Sequence, residues 1–261
     1  LSVADWNPSA YAAFADLRLR PALDLIAHVP DLPAGGIADL GCGAGAVGPA
    51  LRARWPGRRL TGIDASPAML AGARATRAYD ALAEADLAAW APDRPPALIV
   101  ANAALNWVPD HAALLPALAG RLAPGGVLAA QVPGQHDAPS HRMLREVAAG
   151  IAPGRIGAMA RPFVLDPRAY ARILAPLGAA DLWETTYLQR LGPASGHPVA
   201  AFTAATAMRP VLAALSPDEA ARFTARYEAA MEEAYPREAD GSVLIPFRRI
   251  FLILKVPPCP S

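Results

Sequence analysis

Short apolar runs alternate with amphipathic stretches through the first half of the chain, which predicts strands separated by helices. The runs that we interpret as buried strands are residues 37–40, 59–63, 79–83, 97–101 and 127–132. Between them, Ser66-Pro67 provides an N-cap and a first helical residue, and Asp110 begins a stretch whose leucines recur on one face. Strands joined by helices at short intervals form right-handed βαβ units, so we expect an α/β fold with a mostly parallel sheet.

The second half of the chain is less regular. Its pattern predicts helices near 139–150 and 166–177, a strand at 181–189, a helix after the capping box at 216–219, and a last strand at 250–255. In the N-terminal helical stretch at 7–29, Pro21 is expected to kink or split the helix. The predicted divisions are an N-terminal helical segment (1–30), an α/β core (31–192), a helical cap inserted over the cofactor edge (193–246), and a last strand with its tail (247–261).

Composition narrows the class of partner. Lys and Arg number 24 and Asp and Glu 23, so the net charge of +1 provides no broad field for nucleic acid or an anionic membrane. A small, specifically bound molecule fits better. No apolar run reaches membrane-spanning length, and residues 1–8 carry no signal-peptide pattern. The two cysteines, Cys42 and Cys259, lie far apart in the chain, which favours a reducing compartment and a cytoplasmic location.

The candidate chemistry is concentrated where the first two strands end. Asp39-Leu-Gly41-Cys-Gly43-Ala-Gly45 joins the first strand to a helix, and Asp64 closes the second strand. Glycines permit a tight turn and close approach of the backbone to a ligand, while a helix start offers free N–H groups. An acid at the end of the neighbouring strand can accept both hydroxyl groups of a ribose. The pattern therefore predicts a nucleoside cofactor at the carboxyl ends of the strands.

The spacing of the glycines favours S-adenosyl-L-methionine (SAM) over a dinucleotide. A dinucleotide fingerprint reads G-x-G-x-x-G, whereas this chain has G-x-G-x-G and Val47 at six residues from Gly41. Asp39 would face a pyrophosphate unfavourably, but it suits the ammonium of a methionine moiety, directly or through water. A glycine turn without a ligand is the remaining alternative.

Two later strand ends support the SAM interpretation. Glu84-Ala-Asp86-Leu87 follows the third strand, where a carboxylate can accept the adenine amino group and the next backbone N–H can reach a ring nitrogen. Asn102 closes the fourth strand, next to the expected position of the reactive sulfonium. The alternatives are a helix cap or turn at Asp86 and a turn residue at Asn102.

Several segments resemble the trans-aconitate 2-methyltransferase family. They are DWNP at 5–8, RLRP at 18–21, ADLGCG at 38–43, TGIDASPAM at 61–69, ANAALNWVPDH at 101–111, PGGVLA at 124–129, REVA at 145–148, TTY at 185–187, MRP at 208–210 and AYP at 234–236. The likeness covers almost the whole chain. Many class I methyltransferases share the cofactor motifs, whereas the segments at 5–8 and 102–111 are far more specific to this family.

The resemblance implies a class I methyltransferase fold, with a Rossmann-like, seven-stranded, mostly parallel sheet and a helical cap. It implies a carboxyl O-methyltransferase that uses SAM, releases S-adenosyl-L-homocysteine (SAH) and forms a monomethyl ester of trans-aconitate or a related small polycarboxylate. Arg20 is a candidate partner for the methionine carboxylate of SAM, with a surface charge as the alternative. The candidate cofactor-binding residues are Arg20, Asp39, Gly41, Gly43, Gly45, Asp64, Ala65, Met69, Asp86, Leu87 and Asn102.

A polycarboxylate acceptor needs cationic and hydroxyl donors for the carboxylates that do not react. The candidate acceptor-site residues are Trp6, Tyr11, Trp107, Tyr187, Arg209 and Arg248, and the candidate catalytic residues are Asn102, Trp107, Tyr187, Arg209 and Arg248. Core packing and surface ion pairing are their alternative roles. The attacking carboxylate is ionised at neutral pH, so direct in-line transfer requires no general base. The five histidines form no ligand cluster, and we expect no metal site.

Departures from the family pattern lie on the expected acceptor side. The family's Thr-Gly-Leu-Arg-Pro is Thr-Ala-Met-Arg-Pro at 206–210, and its Phe-Pro-Arg before the last strand is Phe-Arg-Arg at 247–249. Two other functions therefore stay open. One is an O- or N-methyltransferase, or a non-methylating SAM enzyme, for a natural-product intermediate. The other is a SAM-binding protein without enzymatic activity.

Overall fold

The computed structural model describes residues 15–154 and 163–259, and a seven-stranded sheet is its central element. The strands are β1 (Ile37–Leu40), β2 (Leu60–Asp64), β3 (Ala81–Glu84), β4 (Leu98–Asn102), β5 (Val127–Pro133), β6 (Ala179–Leu191) and β7 (Val243–Lys255). Their order across the sheet is β3-β2-β1-β4-β5-β7-β6. The pairs β1–β2, β1–β4, β2–β3 and β4–β5 are parallel. The predicted fold class, an α/β fold with a seven-stranded and mostly parallel sheet, is confirmed.

Helices join the strands, and several begin at the predicted caps. They are α1 (Ala15–Ala27), α2 (Gly48–Arg54), α3 (Pro67–Ala75), α4 (His111–Ala119), α5 (Pro139–Ile151), α6 (Pro167–Leu174), α7 (Pro198–Ala204), α8 (Arg209–Ala214) and α9 (Pro217–Ala234), with a 3-10 helix at Leu105–Trp107. Ser66 caps α3 by accepting from the N–H of Met69, and Ser216 forms a reciprocal capping box with Glu219. Helix α1 continues through Pro21, so the proline does not split it. Among the described residues, no helix is both long and apolar enough to cross a membrane.

The last strand begins earlier than the sequence pattern predicts, at Val243 rather than at residue 250. Its first half alternates buried Val243, Ile245 and Phe247 with more exposed neighbours that include Pro246, whereas its second half is buried almost throughout. A half-exposed strand shows period-two alternation instead of a continuous apolar run. A continuous apolar run therefore marks only the second half of this strand in the sequence.

The described residues divide into two compact units. The first contains residues 15–132, 163–185 and 249–259, and its core is built from the apolar faces of the strands and of α4 and α6, for example Leu40, Ile99, Leu115 and Leu128. Near the end of α1, His28 contacts Trp183, whose ring stacks on Phe251 with centroids 4.8 Å apart.

The second unit contains residues 133–154 and 186–248 among those described. Phe223, Tyr227 and Met231 are buried along one face of α9. The Tyr227 hydroxyl donates to the carbonyl of Ser140 at 2.8 Å, which ties α9 to α5. The predicted cap segment, 193–246, lies within this unit, which also contains α5.

Candidate active site

The sheet order places a candidate ligand site between β1 and β4. The chain proceeds outward from β1 through β2 to β3 and then returns to β4 on the other side of β1. In open α/β sheets, ligands bind outside the carboxyl ends of the strands at such a reversal. Gly41 follows β1 and Ala104 lies just beyond β4, and a Cβ built on Gly41 would clash with the Cβ of Ala104. The two loops therefore meet at the reversal, and there is no room for a side chain at Gly41.

The glycine turn is held to β2 by its own N–H groups. The N–H groups of Gly41 and Cys42 both donate to the carbonyl of Ile63, at 2.7 and 3.0 Å. The N–H of Gly43 donates to Oδ2 of Asp64 at 2.9 Å, and Oδ1 of Asp64 accepts from the N–H of Ser66 at 2.9 Å. These N–H groups organise the turn and Asp64. They do not belong to the helix start, because α2 begins only at Gly48.

Gly43 and Asp64 together fit a nucleoside. A Cβ built on Gly43, which has a φ of +53°, would meet nothing within 4 Å, so the space beside this residue is open. Asp64 is half-buried, and its hydrogen bonds with the N–H groups of Gly43 and Ser66 leave acceptor capacity on a carboxylate that has about four lone-pair sites. An open face beside an oriented acid suits ribose hydroxyl groups.

Asp39 is buried, with 1% of its surface exposed, and the hydroxyl of Tyr79 donates to its Oδ2 at 2.7 Å. Burial raises the pKa of Asp39 to about 6; the hydrogen bond from Tyr79 opposes the rise, and the charge of Asp64 adds to it. Burial also raises the pKa of the Tyr79 hydroxyl well above its usual range, so Tyr79 acts as a donor. The pKa of Asp39 therefore lies close to neutral pH, and a nearby cation would lower it by favouring the ionised form.

Tyr79 is a candidate site residue that the sequence analysis missed, because it assigned this residue to the third strand. The ring lies beside two glycines, and a Cβ on Gly48 or on Gly62 would approach it to within 2.7 or 2.9 Å. Gly45 has a similar packing role, because a Cβ there would lie 2.9 Å from the Cα of Ala73 in α3. Closely packed glycines next to an aromatic residue were the available signal.

In the segment after β3, the two residues that were predicted to bind adenine have different surroundings. Asp86 is exposed, and its Oδ1 accepts from the N–H of Ala88 at 2.7 Å, which is a local turn. Leu87 is partly buried and packs against the core, with its Cδ1 3.7 Å from a Cβ built on Gly41. Leu87 is thus beside the glycine turn.

The other predicted cofactor residues have varied surroundings. Ala65 is exposed, and Met69 is buried in the first turn of α3. Arg20 is exposed on α1. Trp6 and Tyr11, which were predicted for the acceptor site, lie outside the described residues.

Asn102, which is partly buried, belongs to a polar chain that crosses three neighbouring strands. Its Oδ1 accepts from Nε2 of Gln131 at 2.6 Å, and Oε1 of Gln131 accepts from Nη1 of Arg249 at 3.3 Å. Gln131 is fully buried and Arg249 is 3% exposed. The next residue, Ala103, has a φ of +53°, which is strained for a residue with a Cβ, and its N–H donates to the carbonyl of Gln131 at 2.9 Å. Sequence reasoning selected Arg248 and missed Arg249, although the third position of the family's Phe-Pro-Arg was a signal for it.

The segment from β4 to α4 presents Trp107 to solvent, with 54% of this residue exposed. The Asn106 amide is assigned so that both of its ends are hydrogen-bonded. Its nitrogen then donates to the carbonyl of Ala103 at 2.9 Å, and its oxygen accepts from Nε1 of Trp107 at 3.0 Å. This hydrogen bond from Nε1 fixes the orientation of the indole ring.

A buried histidine fixes the far end of this segment. Nε2 of His111 donates to the carbonyl of Leu105 at 2.8 Å, which leaves Nδ1 to accept from the hydroxyl of Tyr170 at 2.6 Å. That hydroxyl accepts in turn from the N–H of Leu165 at 3.2 Å. Burial lowers the pKa of His111, and burial raises the pKa of Tyr170 to about 12. The neutral imidazole therefore connects the 3-10 helix to α6.

The three polar residues predicted for the acceptor belong to the second unit. Tyr187 is buried in β6, whereas Arg209 and Arg248 are partly buried, at the start of α8 and in β7. The residues around the glycine turn belong to the first unit, and the role of these three side chains in binding stays a prediction.

Cys42 lies within the turn, and burial raises the pKa of its thiol well above the usual range. The charges of Asp39 and Asp64 raise this pKa further. The thiol is therefore protonated, which suits a small filler better than a nucleophile. Within 15–154 and 163–259, no group of three or more His, Cys, Asp or Glu side chains is placed to hold a metal ion.

Comparison with known proteins supports a methyltransferase. Residues 11–181 match a family described as a methyltransferase domain. The chain is 46% identical to a trans-aconitate 2-methyltransferase of Streptomyces avermitilis, with 97% of both chains aligned. Enzymes of the same name from Methylobacterium radiotolerans and Escherichia coli are 44% and 41% identical, and each alignment covers 97% of this chain and 99% of the relative.

Solved structures share the fold at low sequence identity. The YcgJ protein of Bacillus subtilis superposes with a TM-score of 0.56 at 13% identity, over 92% of this chain and 99% of that chain. A phosphoethanolamine N-methyltransferase of Haemonchus contortus in complex with SAM gives a TM-score of 0.54 at 14% identity, over 92% of this chain and 52% of that chain. The methyltransferase prediction and the family resemblance are both confirmed by the sequence relatives. This chain belongs to the trans-aconitate 2-methyltransferase family, within the class I methyltransferase fold.

Proposed function

We propose that this chain is a SAM-dependent carboxyl O-methyltransferase that forms a monomethyl ester of trans-aconitate and releases SAH. The observation that carries the proposal is the similarity to relatives named trans-aconitate 2-methyltransferase, at 41–46% identity over 97% of the chain. The glycine turn, the oriented Asp64 and the buried Asp39 support it, because their chemistry fits a cationic nucleoside.

In this proposal each group around the turn has a separate role. Asp64 accepts hydrogen bonds from the ribose, and its two bonds to backbone N–H groups keep its carboxylate oriented. Asp39 faces the ammonium of the methionine moiety, and Leu87 lies beside the adenine. Asp86, Ala65 and Met69 complete the surroundings of the nucleoside, and Arg20 is the proposed partner of its carboxylate. When bound, SAM supplies an electrophilic methyl group on a sulfonium.

The reaction requires no general base, because the attacking carboxylate is ionised at neutral pH. Catalysis then comes from holding the acceptor oxygen in line with the methyl group and from excluding water. Asn102 and Trp107 are the proposed contacts of the reacting carboxylate. Arg209, Arg248 and Tyr187 are the proposed donors to the carboxylates that do not react, since arginine binds carboxylates with two parallel hydrogen bonds.

An assay with SAM and a panel of acceptors tests this function. The panel contains trans-aconitate, citrate-like acids, a free fatty acid and an amine, and the readouts are SAH release and mass spectrometry of the products. We expect a monomethyl ester of trans-aconitate, and we expect Asp64→Asn to form it about tenfold or more slowly at SAM concentrations below saturation, because its affinity for the cofactor is lowered.

Folded, SAH-binding protein that gives no ester from any di- or tricarboxylate would overturn the proposal. Products from an amine or alcohol would then favour the natural-product alternative, and SAH binding without turnover on any acceptor would favour a binding protein. The cytoplasmic location stays a prediction.

A further inference from the structure

Arg249 fixes the donor-to-acceptor direction of the hydrogen bonds in the polar chain at the end of β4. A guanidinium has only N–H donors, so the atom of Gln131 that faces Arg249 must be the acceptor Oε1. The other end of the same amide, Nε2, must then donate, and it faces Oδ1 of Asn102 at 2.6 Å. The opposite orientation would place the N–H groups of Gln131 against those of Arg249. The amide of Asn102 is therefore turned so that its oxygen points to Gln131.

The backbone holds the members of the chain in register. Asn102 and Gln131 are paired residues on the parallel strands β4 and β5, so their side chains leave the same face of the sheet. Strand β7, which carries Arg249, neighbours β5. The N–H of Ala103 donates to the carbonyl of Gln131, which fixes the end of β4 a second time. Because Gln131 and Arg249 are buried, water does not compete for these bonds.

We infer that Gln131 and Arg249 are positioning residues that present the N–H groups of Asn102, rather than its oxygen, to the methyl acceptor. The inference rests on the proposed function. A carboxylate oxygen has lone pairs and no proton, so it needs donors, whereas a neutral amine nucleophile carries N–H groups and needs an acceptor. The donor end of Asn102 therefore selects an oxyanion as the acceptor and disfavours an amine.

Substitution at Gln131 separates this role from a structural one. In Gln131→Glu the introduced carboxylate accepts from Arg249 and also requires a donor from Asn102, so the Asn102 amide turns and presents its oxygen to the acceptor. In Gln131→Met, a control of similar length, Asn102 loses its orienting partner without being reversed. A merely structural role predicts that Gln131→Glu is the milder change, because it keeps polar contacts to both neighbours.

We expect the reverse order in steady-state kinetics. Gln131→Glu should raise the KM for trans-aconitate by about tenfold or more, and Gln131→Met by about threefold, as expected when a hydrogen bond to a charged group is repelled or only weakened. The SAH dissociation constant, measured by calorimetry, should change by less than about threefold in both variants, since the inference concerns the acceptor. Arg249→Lys, which keeps a group with donors only, should retain more activity than Arg249→Met.

A measurement that needs no turnover tests the amide orientation itself. In side-chain amide NMR of the SAH complex, the NH₂ of Gln131 should exchange slowly with solvent and that of Asn102 should exchange faster; loss of each signal in Gln131→Glu and Asn102→Asp assigns them. Slow exchange at Asn102, or a smaller KM effect for Gln131→Glu than for Gln131→Met, would overturn the inference. Wild-type protein that shows the expected exchange but esterifies no carboxylate would instead contradict the proposed function.

Discussion

The hydroxyl of Tyr79 donates to Oδ2 of Asp39 at 2.7 Å, and this bond opposes the rise in pKa that burial causes in this carboxyl group beside the glycine turn. Burial raises the pKa of Asp39 to about 6, within reach of ordinary assay conditions. A buried carboxylate is unfavourable without a partner, and a bound ammonium would be such a partner. The pair therefore couples ligand binding to ionisation.

The first prediction is that SAH binds more tightly as the pH rises through about 6. Binding a cation at Asp39 requires its ionised form, so below pH 6 the affinity should fall by about tenfold for each pH unit, and it should level off above pH 7. Calorimetric titrations from pH 5 to 8 measure this. In the absence of ligand the sign for stability is opposite: the raised pKa contributes stability that is full below 3.8 and is lost as the pH rises through about 6.

Two variants test whether Asp39, and not the neighbouring Asp64 or Cys42, causes this pH dependence of SAH binding. Asp39→Asn should bind SAH weakly and with a flat pH dependence over this range. Tyr79→Phe removes the hydrogen bond that lowers the pKa of Asp39, so the midpoint of the pH dependence should move upward. An unchanged midpoint in Tyr79→Phe, or an unchanged slope in Asp39→Asn, would assign the pH dependence to another group.

The second prediction contrasts two glycines of the same turn. Gly41→Ala should destabilise the fold by about 2–5 kcal/mol, because the new methyl group meets Ala104 and the backbone has a φ of +69°. Gly43→Ala should cost only about 1–2 kcal/mol of backbone strain, since its Cβ enters open space. That space is the proposed nucleoside site, so Gly43→Ala should weaken SAH binding by about tenfold or more.

Gly154→Ala is the matched control for these measurements. It also has a positive φ, +78°, and no atom within 4 Å of an added Cβ, but it lies in the other unit. It should share the strain cost of Gly43→Ala in chemical denaturation and leave SAH affinity unchanged. Equal losses of affinity in the two variants would contradict the placement of the nucleoside beside Gly43.

The third prediction concerns the buried pair of His111 and Tyr170. Burial lowers the pKa of His111 below its ordinary 6.5, so the unfolded chain takes up the proton more readily than the folded one. The stabilising contribution is therefore full above pH 6.5 and is lost as the pH falls. His141, whose pKa burial lowers to about 4, acts in the same direction. Because His141 is present in both proteins, the contribution of His111 is the difference between wild type and His111→Phe in how the free energy of unfolding depends on pH.

His111→Phe should cost about 2–4 kcal/mol at pH 7.5, because the hydroxyl of Tyr170 and the carbonyl of Leu105 both lose a buried partner. The free energy of unfolding in urea, measured at pH 7.5, 6.5 and 5.5, tests both statements. The variant should lose less stability than wild type on acidification, and identical pH slopes would contradict the assignment.

The fourth prediction concerns the distal carboxylates of the acceptor. Arg209→Met and Arg248→Met should each raise the KM for trans-aconitate by about tenfold, because a charge-assisted pair is removed, and should leave SAH affinity unchanged. Arg222→Met, at an exposed position on α9, is the matched control. A KM in either variant that is no higher than in Arg222→Met would remove that arginine from the acceptor site.

The sequence predicted the parts of this fold that local rules determine. The strand at 37–40, the glycines that follow it and the cap at Ser66 were all expected from short-range patterns. The role of Tyr79 was not, because its contact with Asp39 joins residues forty positions apart. Arg249 was missed for a related reason: its burial depends on the neighbouring strand that carries Gln131, and adjacent Arg248 is chemically identical in the sequence.

Calorimetric titration of SAH into the wild-type protein and into Asp64→Asn at pH 7.5 tests the placement of the cofactor most directly. We expect one SAH per chain in the wild type and an affinity lower by about tenfold or more in Asp64→Asn, since the oriented carboxylate is the proposed partner of both ribose hydroxyl groups. Folded wild-type protein that takes up no SAH, or equal affinity in the two proteins, would contradict the account.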